Sequence, residues 1–95
     1  MRYKVDFTIN FKKQHKKIKK QGKNLKKLYE IINKLANDEI LEQKYRDHDL
    51  IDDKKFKDCR ECHIEPDWLL IYKKQENELV LLLFATGSHS ELFNK

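Results

Sequence analysis

The stretch Cys59-Arg60-Glu61-Cys62-His63-Ile64-Glu65-Pro66-Asp67-Trp68-Leu69-Leu70-Ile71-Tyr72 decides how the chain is read. A polar half turns at Pro66 into an apolar run, the pattern of a strand, a tight turn and a buried strand. Titratable groups are thereby delivered to the lip of a sheet, where a small protein holds chemistry rigidly. Downstream, Gln75-Glu76-Asn77 separates a further strand, so strands are expected at about 57–64, 68–74 and 78–85. Thr86-Gly87-Ser88 then breaks the last strand, and His89 to Phe93 form a short capped turn.

Upstream, Tyr3, Val5, Phe7 and Ile9 alternate with polar residues, as in a strand with one covered face. Asn10 is expected to cap a helix whose apolar stripe is Phe11, His15 and Ile18, closed by Gly22. Asn24 caps a second helix with Leu25, Leu28, Ile32 and Leu35 on one face. Residues 38–58 are polar and mixed in sign and predict a long loop with at most one helical turn. The order β-α-α-β-β-β places the chain in the α+β class, with two N-terminal helices on one face of a mainly antiparallel sheet and the other face open to a ligand.

With 95 residues, a single domain spanning 1–95 is expected, with a thin core built from most of the large apolar side chains. Ten aromatic residues argue for a packed fold despite 39% charged residues. The net charge of +5 is unevenly divided: residues 1–34 carry twelve Lys or Arg against Asp6 and Glu30, whereas residues 35–95 carry nine against fourteen acids. Nine lysines lie between positions 12 and 27 with no intervening acid. A purely structural helix does not need such an excess, since like charges one turn apart repel. Phosphate contacts by Lys12, Lys13, Lys16, Lys17 and Lys20 are expected. The start lacks a signal-peptide core and no apolar stretch is long enough to span a bilayer, so a cytoplasmic protein with reduced thiols and no membrane partner is expected.

Cys59-x-x-Cys62-His63 matches a haem-attachment string and evokes zinc or redox chemistry. A structural zinc site wants a second close ligand pair, and extended backbone sends positions 59 and 62 to opposite faces, so two inert thiols are the better reading. His48, His63 and His89 are more informative, because a loop, a strand and the end of the last strand can converge at one sheet end, with Asp67 nearby. Imidazoles suit proton transfer at neutral pH, and RNA supplies its own nucleophile in the 2′-hydroxyl. A metal site of three His and one Asp is the rival use of the same residues. Trp68, at a strand entrance, is expected to expose its indole for base stacking.

The segments Tyr45-Arg-Asp-His-Asp-Leu50, Arg60-Glu-Cys-His-Ile-Glu-Pro-Asp-Trp-Leu-Leu-Ile-Tyr72 and Thr86-Gly-Ser-His-Ser-Glu-Leu-Phe93 together resemble the RelE-superfamily toxins, specifically the YafQ branch of ribosome-dependent mRNA interferases. The resemblance implies a microbial-RNase-like fold, neutralisation by a small and acidic antitoxin, metal-independent and cofactor-free cleavage of mRNA in the ribosomal A site, and active residues at His48, His63, Asp67, Trp68, His89 and Phe93. Two positions depart from the usual pattern: Ala85 stands where Arg is usual and Asp49 where Pro is usual. Without that arginine, Arg60 or a lysine is expected to supply the cation for the phosphate. A non-catalytic relative that binds a protein target, as ParE-type toxins do, is the alternative.

Overall fold

The computed structural model describes residues 2–93; residues 1, 94 and 95 of the expected domain lie outside the described residues. Its elements are β1 (Lys4–Phe7), α1 (Ile9–Lys20), α2 (Leu25–Ala36), a 3-10 turn η1 (Gln43–Tyr45), β2 (His48–Asp49), β3 (Arg60–Glu65), β4 (Trp68–Gln75), β5 (Val80–Gly87) and α3 (His89–Phe93). One five-stranded sheet has the order β1-β5-β4-β3-β2. β1 runs parallel to β5 and the other three pairings are antiparallel. The α+β class and the element order match expectation, with the two-residue β2 as an unforeseen addition inside the long loop.

Asn10 is not the first cap. Thr8 is, with its Oγ1 accepting from the Phe11 N–H at 3.0 Å and donating to the Phe84 carbonyl at 2.8 Å. Thr8 wins because it leaves β1 already bonded to β5 through its own N–H, so the helix starts while Ile9 is still close to the sheet. Asn24 caps α2 as expected, its side chain accepting from Lys26 N–H.

The helices cover one face of the sheet. Phe11 and Ile18 of α1 and Leu28, Ile31 and Leu35 of α2 pack against Cys62, Ile64, Leu70, Tyr72, Leu81 and Leu83. The opposite face is not open, contrary to expectation: Leu50, Phe56 and Cys59 from the loop, with Leu92 and Phe93 of α3, cover Leu69, Ile71 and Ala85. Strands β4 and β5 are apolar on both sides, and leaving Leu69 and Ile71 in water would cost roughly 1.5–3 kcal/mol each. The loop supplies their cover.

Two irregularities set which residues face which side. Tyr72 pairs with Leu83 but Ile71 with Ala85, so Phe84 is an inserted residue and the parity of β5 flips beyond it. Thr86 therefore faces the helices, and its Oγ1 accepts from Trp68 Nε1 at 3.0 Å and donates to the Leu69 carbonyl at 2.8 Å. A second register shift between His63 and Glu65 turns Glu65 toward α2, where Lys27 holds it at 2.9 Å. Cys59 and Cys62 are buried in different clusters on opposite faces and cannot act as a pair.

Thr86→Val keeps shape but leaves the buried Trp68 N–H and the Leu69 carbonyl unpaired. It is expected to destabilise the fold by roughly 1–3 kcal/mol, read as a lower urea midpoint with an unchanged slope.

Candidate active site

β3 sends Cys62 and Ile64 to the helix side and Glu61 and His63 to the other, because neighbouring strand residues alternate. Glu61 lies opposite Ile71 and His63 opposite Leu69, so both stand at the margin of the loop-covered face. β2 then pairs His48 with Glu61. The result is a cluster drawn from four places in the chain.

Its geometry is specific. His48 Nδ1 lies 2.6 Å from the Arg46 carbonyl and His63 Nδ1 lies 3.2 Å from the Pro66 carbonyl. A carbonyl only accepts, which assigns the proton to Nδ1 in both rings and turns Nε2 toward Glu61. Those Nε2 atoms lie 3.1 Å (His48) and 3.7 Å (His63) from Glu61 Oε2. His48 Nε2 is thus within hydrogen-bond distance of Glu61, whereas His63 Nε2 faces the same oxygen from slightly farther away. Glu61 is only 5% exposed and His63 9%, which keeps water from competing.

His89 enters from α3. Its Nδ1 lies 3.3 Å from Asp67 Oδ1, which also accepts the His89 backbone N–H at 3.1 Å. That backbone hydrogen bond is the main reason the Asp67 carboxyl is held below its ordinary range, with the His89 ring and Lys23 adding to it. Ring centroids are 5.5 Å apart for His63 and His89 and 6.5 Å for His48 and His63. The three imidazoles thus converge within the reach of one nucleotide. Phe93 lies partly exposed beside His89, at 6.0 Å, and edge-on to Phe56 at 5.6 Å.

α3 is fixed by a capping box: Ser88 N–H donates to Glu91 Oε1 at 3.0 Å and Glu91 N–H to Ser88 Oγ at 3.1 Å. Gly87, at φ +155°, has no Cβ to collide with Glu91, whose carboxylate would lie 3.2 Å away. Lys17 of α1 completes the tether on Glu91.

Two expected site residues are elsewhere. Trp68 is 1% exposed, inside the helix-side core with its N–H bonded to Thr86, so its indole is not free to stack on a base. It lies buried because α1 and the α1–α2 turn close over the strand entrance, with Lys23 5.5 Å above the ring. Arg60 is also excluded from the cluster. It alternates to the opposite face from His63, where Nη1 binds Asp49 at 2.7 Å and Nε lies 3.3 Å from both Asp47 and the Tyr72 hydroxyl. Burial works against its charge, but Tyr72 and Asp47 more than offset that and raise its pKa. Arg60 and Asp49 thus staple β2 to β3. Ala85 is buried against α3 and the loop.

Of the expected lysines, Lys17 reaches α3 through Glu91, whereas Lys12 lines an apolar groove with Phe7 and Tyr29. Lys13, Lys16 and Lys20 are exposed on α1, and none is within ion-pair distance of a carboxylate among the described residues. Sequence reasoning missed Glu61 and, as a site residue, Lys23. The signal for Glu61 was its position two residues before His63 on the same strand face.

Glu61, His63 and His89 each offer one donor atom, and these atoms lie within 4.8 Å of one another, a spacing that could hold a metal ion. No helix among the described residues is long and apolar enough to cross a membrane.

Lys17 and the Ser88 groups hold the Glu91 carboxyl well below its usual 4.5, at about 2. A carboxyl depressed in the fold stabilises it above the unfolded value and loses that contribution as pH falls through the folded one. Wild type is therefore expected to lose stability between about pH 4.5 and pH 2, and Glu91→Gln to flatten that part of the curve, as read by thermal melts across pH.

The family model described as the bacterial toxin of type II toxin-antitoxin systems, YafQ, matches residues 3–94. A curated relative, the mRNA interferase toxin YafQ of Escherichia coli strain B, is 34% identical over 90 residues, 94% of each chain. Among solved structures, a metal-bound toxin from Helicobacter pylori superposes with a TM-score of 0.88 at 42% identity, covering 96% of this chain and 99% of that one. The Escherichia coli DinJ-YafQ complex gives 0.84 at 34%, covering 96% and 98%. The chain belongs to the YafQ family of bacterial type II toxin-antitoxin toxins.

Proposed function

We propose that the protein is a toxin that cleaves mRNA, acts in the ribosomal A site in the cytoplasm, and is neutralised by a small acidic antitoxin. One observation carries the nuclease reading: three imidazoles, two of them turned toward one buried carboxylate and the third beside another, lie with neighbouring ring centroids 5.5 and 6.5 Å apart, close enough to act on one phosphodiester. A protein that acts only by binding has no use for such an arrangement. The relative's name, mRNA interferase, and the antitoxin bound to YafQ support the substrate and the partner. Lys13, Lys16 and Lys20 of α1, exposed and without an ion-pair partner among the described residues, support contact with phosphate.

In this reading His63 Nε2 takes the proton of the ribose 2′-hydroxyl as its oxygen bonds to the adjacent phosphorus. The bond from phosphorus to the 5′-oxygen breaks, and His89 protonates that oxygen, leaving a 2′,3′-cyclic phosphate and a 5′-hydroxyl. Glu61 stabilises the imidazolium formed at His63, and His48 holds the Glu61 carboxylate from the other side. Asp67 orients His89 through its ring and its backbone N–H. Lys23, not Arg60, is the cation beside the phosphate, and Phe93 stacks on the base.

His63→Ala and His89→Ala are each expected to abolish growth arrest on induction and to remove new mRNA 5′ ends. Glu61→Gln should lower cleavage about 100-fold, within the range for proton-transfer groups. Retained toxicity in both histidine variants would remove the nuclease reading.

Proton transfer between these imidazoles and the ribose needs no metal. Glu61, His63 and His89 could nevertheless hold an ion, and a Zn²⁺ there would polarise ligands rather than exchange protons. Because a bound metal occupies the lone pairs that the proton transfers require, cleavage is expected to survive chelator and to fall on addition of zinc. Loss of cleavage in chelator, restored by zinc, would reverse this.

A further inference from the structure

We propose that the cleft between α2, η1 and the β3–β4 turn seats the nucleotide on the 5′ side of the cut, the one whose ribose supplies the attacking hydroxyl. This rests on the nuclease reading above and adds a recognition subsite to it. The cleft has a volume of about 490 Å³, room for a single nucleoside, and His63 forms part of its wall. It therefore opens directly onto the imidazole that accepts the 2′-hydroxyl proton. The nucleotide on the other side of the phosphate leaves toward His89, so the upstream one is left to this side.

The lining suits a base with a phosphate behind it. Ile31 and Ile64, both buried, form an apolar floor, and the half-buried Tyr45 adds an aromatic wall. Flat nucleobases stack on such surfaces with little dependence on sequence. Two exposed cations, Lys44 and Arg46, border the same space. Neither has a carboxylate within ion-pair distance among the described residues, whereas Lys27 on the opposite wall is committed to Glu65 at 2.9 Å. Glu30 and Glu65 make the α2 wall acidic, so the phosphate track runs along η1.

Arg46 links the cleft to the cluster. Its backbone is left-handed at φ 48°, a conformation that costs a non-glycine residue about 1–2 kcal/mol. That geometry brings its carbonyl to 2.6 Å from His48 Nδ1 while its side chain borders the cleft. Lys44 holds its ammonium 5.1 Å above the Tyr45 ring, which keeps its charge at the same place.

The test uses the purified full chain and an RNA oligonucleotide with one 2′-deoxy nucleotide at the cut, so that it binds without reacting. The double variant Lys44→Gln/Arg46→Gln is compared with Lys44→Arg/Arg46→Lys, and both are expressed for mapping of mRNA 5′ ends. Removing the charges is expected to weaken binding about tenfold, to lower the slope of log affinity against log salt by about 1.4, and to alter base preference only upstream of the cut. The charge-preserving variant should bind as wild type does. Unchanged affinity with unchanged upstream preference overturns the subsite alone, as does loss of antitoxin capture with RNA affinity intact. If wild type itself generates no new 5′ ends, the nuclease reading falls and this inference with it.

Discussion

Everything at the site hangs on the two-sided burial of β3. Cys62 and Ile64 fill the helix-side core while Glu61 and His63 occupy the other face, opposite Ile71 and Leu69. A slip of one residue would drive the Glu61 carboxylate into the helix core and expose Cys62 and Ile64. Burying an unpaired carboxylate costs far more than any strand contact returns, so core packing holds the register of the site. His48 has no core of its own and takes its position from pairing with Glu61 across β2, from the Arg46 carbonyl and from the Arg60–Asp49 staple.

The same economy appears at α3. A five-residue helix has little stability alone, yet it carries His89 and Phe93. It is pinned by a capping box, by Leu92 buried beneath it, by a glycine that admits Glu91, and by Lys17 reaching across from α1. The bulge at Phe84 turns Thr86 to meet Trp68, so the indole braces the strand entrance from which Asp67 projects. Trp68 thus supports the site from behind.

Charge is divided by role as well as by sequence. Acids and bases that staple the fold are spent on one another: Arg60 on Asp47 and Asp49, Lys27 on Glu65, and Lys74 on Asp38. Among the described residues, Lys13, Lys16 and Lys20 of α1 and Lys44 and Arg46 around η1 have no carboxylate within ion-pair distance, and the surface at η1 adjoins the imidazoles through His63. An RNA strand crossing the cluster would meet positive charge on both sides.

The first strand, the helical stripes of Phe11 and Ile18 and of Leu28 and Leu35, and the strand-turn-strand at Pro66 were legible in the sequence because they are local and periodic. Of the face expected to be covered in that first strand, however, only Tyr3 and Val5 pack inward: Phe7 and Ile9 are exposed, and Ile9 already belongs to α1. The convergence of His48, His63 and His89 could be expected from their places at the ends of elements. Glu61 could not be seen as their hub, since its partner His48 is brought to it only by a two-residue strand from inside an irregular loop. The bulges at Ile64 and Phe84 carry no glycine to mark them, so the parity that sends Thr86 to Trp68 was hidden. Burial of Trp68 and the neutralisation of Arg60 depend on what α1 and the Asp47–Asp49 segment do from a distance. Local pattern thus determined the elements and the kinds of chemistry available, and tertiary packing alone decided which charged groups face the substrate and which face each other.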